Sequence, residues 1–311
     1  MILIYSHDSC LQHDPGPKHP ENPGRLHSII DALQAPALRP QLRWLQAPRG
    51  SEAQVLLAHT QEHLDVVLDL DSNVLDGSRR ALDPDTILSD STLDAALRAV
   101  GAACEGVNDL VSGLATEVFC LTRPPGHHAT PTRAMGFCVF NPVAIAAFQA
   151  QRKGVQRVAV VDFDVHHGNG TQDCLSGKNG LLYVSTHQSP HYPGTGLAHE
   201  NRPGNIFNLP LPAGTTDASY RARFTAEVLP VLDAFRPQLL LVSAGFDAHR
   251  DDPLGGLCLD ESTYAWLGAT LRAIAQQHCQ GRLLSVLEGG YNLSALGPSV
   301  AAYLSGQAPA R

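Results

Sequence analysis

The chain of 311 residues contains no low-complexity tract, no repeat at a fixed period and no C-x-x-C pair. Its seven cysteines, Cys10, Cys104, Cys120, Cys138, Cys174, Cys258 and Cys279, are odd in number and scattered. That excludes the regular spacing of a disulfide framework and fits reduced thiols. Positive charge is also scarce: 22 Lys and Arg stand against 30 Asp and Glu, a formal net charge of −8. A nucleic-acid binder would carry a basic face, so direct nucleic-acid binding is disfavoured. The negative balance mildly favours cationic substrates. No apolar run nears the ~18 residues of a spanning helix. The opening MILIYSHDSC has a short apolar run with no basic segment before it, and reads as a first strand instead of a secretory leader. These absences set the expectation of a soluble, cytoplasmic protein with no membrane partner.

What is present is apolar material enough for a large core, 43% of residues, laid out as strands alternating with helical stretches. That is the pattern of an α/β domain. The chain is organised around Arg157–Gln172, RVAVVDFDVHHGNGTQ. Val158, Ala159, Val160 and Val161 read as a buried strand of a parallel sheet. Asp162, Asp164, His166 and His167 arrive where that strand ends, and Gly168 and Gly170 flank Asn169 just beyond. Ligands of α/β sheets bind beyond the carboxyl ends of strands. Residues two apart share one side of a strand, so Asp162, Asp164 and His166 converge there. Carboxylate and imidazole are donors that zinc takes readily. Taken alone, the stretch reads at least as well as a buried aspartate capping a turn beside surface histidines. Three further strands empty in the same way: Val118–Leu121 into RPPGHHA, Leu239–Val242 into SAGFDAH, and Leu283–Leu287 into Glu288-Gly289-Gly290-Tyr291. Four such loops point to one shared site at one edge of a sheet.

Periodicity predicts helices over Arg25–Leu33, from an N-cap at Ser51 to Leu57, and over 91–112, 141–153, 218–235, 261–278 and 293–304. Short strands are expected at 181–185 and 206–209. Residues 72–90 are polar and turn-rich and read as a surface loop, with Asp83, Asp85 and Asp90 either facing a substrate or simply solvated. His59–His63 spells H-x-x-E-H, an inverted zinc-protease pattern whose histidines would share a helix face. No glutamate-bearing partner helix stands out, so a helix joint with surface histidines is the preferred reading.

Taken together, HPENPGRL (His19–Leu26), RPPGHHA (Arg123–Ala129), GFCVFN (Gly136–Asn141), VDFDVHHGNGTQ (Val161–Gln172), SAGFDAHRDDPLGG (Ser243–Gly256) and EGGY (Glu288–Tyr291) resemble a known family. It is the histone deacetylase and acetylpolyamine amidohydrolase family, related in fold to arginases, and the spelling is closest to its class II branch. The resemblance implies a single open, mostly parallel sheet of about eight strands with helices on both faces, forming one deacetylase domain over residues 1–311.

It further implies one zinc ion held by Asp164, His166 and Asp247, three protein ligands with a fourth position open. His127 would pair with Asp162, and His128 with Asn169. A carboxylate partner raises an imidazole's pKa and a neutral amide does much less. His128 is therefore expected near its free value as general base, with His127 as a positive electrostatic element. Tyr291 would donate to the substrate carbonyl oxygen; relatives with His there deacetylate poorly. Phe137 and Tyr192 match an aromatic pair lining a substrate tunnel, or else pack as core aromatics under a loop. The Gly136 carbonyl would accept from the substrate amide. Arg25 would lie beneath the metal where acetate collects, or else on the surface of its helix. Backbone carbonyls near Asp162, Asp164 and His166, with Ser185, resemble a potassium site. Leu254 stands where lysine-directed members have leucine and eukaryotic polyamine-directed members have glutamate. The expected substrate is an acylated lysine peptide or protein, with a small acetylated amine as the alternative. A catalytically idle binding protein and an arginase-like enzyme are both disfavoured, the first because every mechanistic residue is present and the second because ligands for only one metal are.

Overall fold

The computed structural model describes residues 1–75 and 77–307; Asp76 of the 72–90 stretch lies outside them. Among the described residues, ten strands occur in the order β1 (Ile2–Ser6), β2 (Leu42–Gln46), β3 (Arg80–Asp83), β4 (Thr86–Leu88), β5 (Glu117–Cys120), β6 (Val158–Asp162), β7 (Leu181–Gln188), β8 (Ile206–Leu211), β9 (Leu239–Ala244) and β10 (Leu283–Leu287). Eight of them form one sheet in the order β2-β1-β5-β10-β9-β6-β7-β8. Every pairing within it is parallel. The four strands that empty into polar loops, β5, β10, β9 and β6, are therefore contiguous at the centre, and their carboxyl ends share one edge.

The β-branched and leucine-rich strands are buried on both faces, as parallel strands must be. Ala159 and Val161 of β6 pack into one core with Ile4, Phe119 and Val242, whereas Val158 and Val160 face the other with Leu3, Val118 and Leu241. Helices α1 (Asp8–Gln12), α2 (Gly24–Ala32), α3 (Glu52–Val55), α4 (Gln61–Ser72), α5 (Thr92–Ser112), α6 (Pro142–Arg152), α7 (Asn169–Leu175), α8 (Asp217–Arg223), α9 (Leu229–Phe235), α10 (Glu261–His278) and α11 (Leu293–Gln307) supply the other half of each core. The first core takes Leu26, Leu271 and Val300 from α2, α10 and α11; the second takes Val100, Ile145 and Leu175 from α5, α6 and α7.

Three local expectations are corrected. The helix expected over 218–235 is interrupted by a π-helical turn, Phe224–Val228. Pro230 lacks the N–H that the preceding turn needs, and a wider turn absorbs the loss. The polar stretch 72–90 carries a hairpin, β3 and β4, whose strands of four and three residues are too short to show alternation. His59 and His63 are buried, at 5% and 3% exposure, with Thr60 capping α4 between them. His59 lies 2.9 Å from the Thr130 carbonyl and accepts the Asn141 N–H, while His63 lies 2.9 Å from the Val139 carbonyl. Burial, then its neighbour His63, pushes His59 down to about 3, so it stays neutral and braces the 130–141 loop.

Candidate active site

The loops beyond β6 and β9 bring three ligand-type side chains together. Asp164, His166 and Asp247 are all buried, and one donor atom from each lies within 4.8 Å of the others. Their orientation is fixed by backbone donors. Asp164 Oδ2 accepts the Gly289 N–H at 2.8 Å, and Asp164 Oδ1 accepts the His166 N–H at 2.9 Å. Asp247 Oδ1 accepts the Val165 N–H at 2.9 Å, which leaves Oδ2 facing His166 Nδ1 at 3.1 Å. His166 Nδ1 is also 3.0 Å from Asp164 Oδ1. Only glycine fits beside this group: a Cβ on Gly289 would meet Asp247 Oδ2 at 2.0 Å and Asp164 Oδ2 at 2.6 Å.

The donor chemistry fits a divalent cation. Burial, then the Asp164 charge, pushes Asp247 up to about 7. Burial works against a charged His166, yet its hydrogen bonds to Asp164 and Asp247 push it up to about 10. Asp247 is thus short of positive charge, and a proton on His166 stands in for it. Two oxygen donors and one imidazole suit zinc with a position left open.

Beside the trio sit the tandem histidines of the loop after β5, with ring centroids 4.1 Å apart. His127 Nδ1 lies 3.0 Å from Asp162 Oδ2, which also accepts the Tyr183 hydroxyl at 2.9 Å. Burial opposes a charge on His127, but Asp164 and Asp162 outweigh it and hold its pKa well above the ordinary value. His128 Nδ1 lies 2.9 Å from Asn169 Oδ1. Burial, then His127 and His166, pushes His128 well below its ordinary value, lower than the near-free titration expected from sequence. Glu288 fixes the loop's backbone, its Oε2 accepting N–H groups from Gly126 (2.6 Å) and His127 (3.1 Å).

A cavity of about 250 Å³ opens on these groups, lined by Asp85, His128, Gly136, Phe137, His166, His191, Tyr192, Leu254 and Tyr291. Phe137 and Tyr192 are therefore wall residues and do not belong to the core. Gly136 and Phe137 both have positive φ, +57° and +69°. The β3–β4 hairpin holds that strained pair, Asp85 Oδ1 accepting the Gly136 N–H and Thr86 Oγ1 the Phe137 N–H, each at 3.1 Å. Asp90 instead accepts the Gly77 N–H, away from this wall.

Arg25 is fully buried in α2 and is not among the wall residues. Its guanidinium donates to the Gly290 carbonyl (2.6 Å), to the Glu288 carbonyl and to Glu21 (3.0 Å), and so braces the loop that carries Tyr291. Ser185 stands opposite Asp162 in the β6–β7 register, its hydroxyl 2.8 Å from His187 Nδ1. Sequence reasoning missed His191, whose ring stacks on His166 at 4.9 Å and 18°. It also missed Tyr183, Thr86 and Arg123, whose guanidinium donates to Glu21, the carboxylate that Arg25 also meets. The ring of His191, next to Tyr192, was the available signal.

The histone deacetylase domain is matched over residues 19–307. Chloroplastic histone deacetylase 14 of Arabidopsis thaliana is 37% identical over 96% of this chain and 75% of its own length. An uncharacterised protein of Synechocystis sp. is 42% identical over 96% of this chain and 97% of its own length. A probable deacetylase of Archaeoglobus fulgidus is 36% identical over 93% of this chain and 81% of its own length. The crystal structure of the HDA15 HD domain aligns with a TM-score of 0.91 at 35% identity, covering 97% of this chain and 86% of that one. With the parallel eight-stranded sheet and the convergent Asp-His-Asp group, these matches establish that the chain belongs to the histone deacetylase family and is a deacetylase, a hydrolase of linear amides.

Proposed function

We propose that the chain is a zinc-dependent deacetylase acting on acyl-lysine side chains of proteins or peptides. We read it as one catalytic domain over residues 1–311, working in the cytoplasm, where its seven free thiols would stay reduced. The observation that carries the reading is the wall of one cavity, which joins His166 of the buried trio to His128, Tyr291 and the rings of Phe137 and Tyr192.

Zinc held by Asp164, His166 and Asp247, or ferrous iron on the same donors, would polarise the amide carbonyl and acidify a water. With Asn169 Oδ1 as acceptor, the His128 proton sits on Nδ1 and its Nε2 is free to take one. Kept neutral by burial, His128 suits general base, then acid to the leaving amine. His127, kept charged by the carboxylates around it, supplies a fixed positive field. The Tyr291 hydroxyl would donate to the substrate oxygen as it gains charge. Phe137 and Tyr192 would hold the lysine methylenes, and the Gly136 carbonyl would accept from the substrate amide. Potassium beside Asp162 and Ser185 would serve as a structural ion.

A second reading, deacetylation of a small acetylated amine such as a polyamine, is favoured by Asp85, a carboxylate on the cavity wall. Apolar Leu254 on the same wall favours lysine in a peptide, because a partly desolvated carboxylate there would reward a distal ammonium. Purified enzyme assayed against acetyl-lysine peptides, longer acyl-lysines and acetylated polyamines separates the two. Higher kcat/KM on the peptides supports the first reading, and higher kcat/KM on polyamines overturns it.

A further inference from the structure

We infer that Asp252 is a positioning residue: its single carboxylate latches Tyr291 to the cavity-wall residue Leu254, so that the oxyanion donor and the substrate gate move as one. The inference rests on the reading of Tyr291 as oxyanion donor.

Tyr291 follows two glycines, and Gly290 has φ +124°, a conformation open to almost no other residue. A glycine pair leaves the backbone wide freedom, so the tyrosine ring is only as well placed as the hydrogen bonds around it. Arg25 holds the Glu288 and Gly290 carbonyls, and Asp252 holds the N–H groups on the other side. Its Oδ2 accepts the N–H of Tyr291 at 2.7 Å and of Asn292 at 3.1 Å, while its Oδ1 accepts the Leu254 N–H at 2.9 Å. The side chain is buried, at 7% exposure, so these bonds do not compete freely with water.

The contacts continue on both sides. The Leu254 carbonyl accepts from His191 Nε2 at 2.8 Å, and the His191 ring stacks on His166. Asn292 Nδ2 donates to the Asp251 carbonyl at 2.8 Å, and Asn292 Oδ1 accepts from Ser294 and Ala295 at the start of α11. A chain of contacts therefore runs from the trio through His191, Leu254 and Asp252 to Tyr291. A substrate that presses on Leu254 acts, through one carboxylate, on the backbone of the residue that must donate to its carbonyl.

Asp252→Asn tests the latch. An amide has one acceptor oxygen, so it cannot serve three N–H donors on two sides, and its NH2 faces one of them. In zinc-loaded enzyme with an acetyl-lysine peptide, the substitution should lower kcat about tenfold and change KM and hydroxamate affinity less than about twofold. In a Tyr291→Phe background the same change should alter kcat less than about twofold, because the hydroxyl it positions is already gone. An equal loss in both backgrounds overturns the latch. If Asp252→Asn fails to fold, Asn292→Asp keeps the α11 cap, loses the bond to Asp251 and sets a second carboxylate beside Asp252. A smaller loss that depends on Tyr291 then supports the latch, and one independent of Tyr291 overturns it. A normal kcat for Tyr291→Phe alone would sink the oxyanion reading. The latch is then judged by the crystal structure of Asp252→Asn (or of Asn292→Asp): a displaced Tyr291 ring supports it and an unmoved one refutes it.

Discussion

Asn169→Asp changes the partner of His128 from an amide to a carboxylate and leaves its shape alone. In the native site Asn169 Oδ1 lies 2.9 Å from His128 Nδ1, and Asn169 is only part-buried. With charge centres roughly 4 Å apart and an effective dielectric of about 20, the new ion pair is worth about 4 kcal/mol. That corresponds to about 3 pK units. Partial desolvation of the added carboxylate returns some of this, leaving a net rise of about 1–2 units. The sign follows from the role: a base with a raised pKa stays protonated, and inactive, to higher pH. The acid limb of the kcat/KM profile should therefore move up by about 1–2 units, with the alkaline plateau changing less than about tenfold. The measurement is kcat/KM against pH for both enzymes with one acetyl-lysine peptide. An acid limb that stays in place, or moves down, refutes His128 as the titrating base.

Four other substitutions probe the remaining roles. His128→Ala should abolish turnover, whereas His127→Ala should keep weak activity, strongest at higher pH, after losing roughly 2–4 kcal/mol of transition-state stabilisation; reversed severities in steady-state kinetics would exchange the two roles. Tyr291→Phe should lower kcat by about 10²–10³ while a hydroxamate still binds, and a near-normal kcat removes the residue from the mechanism. Leu254→Glu should shift the ratio of kcat/KM values toward acetylated polyamines by roughly 1–3 kcal/mol. An unmoved ratio in a wild type that already prefers polyamines would end the gatekeeper argument.

Strand-end reasoning anticipated the convergence of the polar loops because it needed only local facts. β5, β6, β9 and β10 announced themselves as apolar runs that stop at polar, glycine-loosened loops, and parallel pairing then forces those loops to one edge. Asp164, His166 and Asp247 were legible as neighbours on that ground. The residues that went unread act through contacts that no local pattern encodes. Thr86 joins Asp85, which had been read only as facing substrate or solvent, in holding two positive-φ residues from a hairpin too short to register as strands. His191 works by stacking on a residue 25 positions away, which no periodicity encodes. Arg25 looked like either a ligand-binding group or a surface residue, and its burial against the Glu288 and Gly290 carbonyls could be seen only once α2 was packed against α11 and the loop after β10. His59 and His63 carried a metal-site spelling, yet both ring nitrogens of His59 and Nε2 of His63 are engaged with backbone groups.

The central claim is that Asp164, His166 and Asp247 hold the metal on which amide hydrolysis depends. Elemental analysis of purified wild type and Asp247→Ala protein tests it most directly. The account predicts one zinc per chain in the wild type and loss of that zinc in the variant, along with loss of acetyl-lysine turnover. Unchanged zinc in a folded Asp247→Ala protein would contradict it.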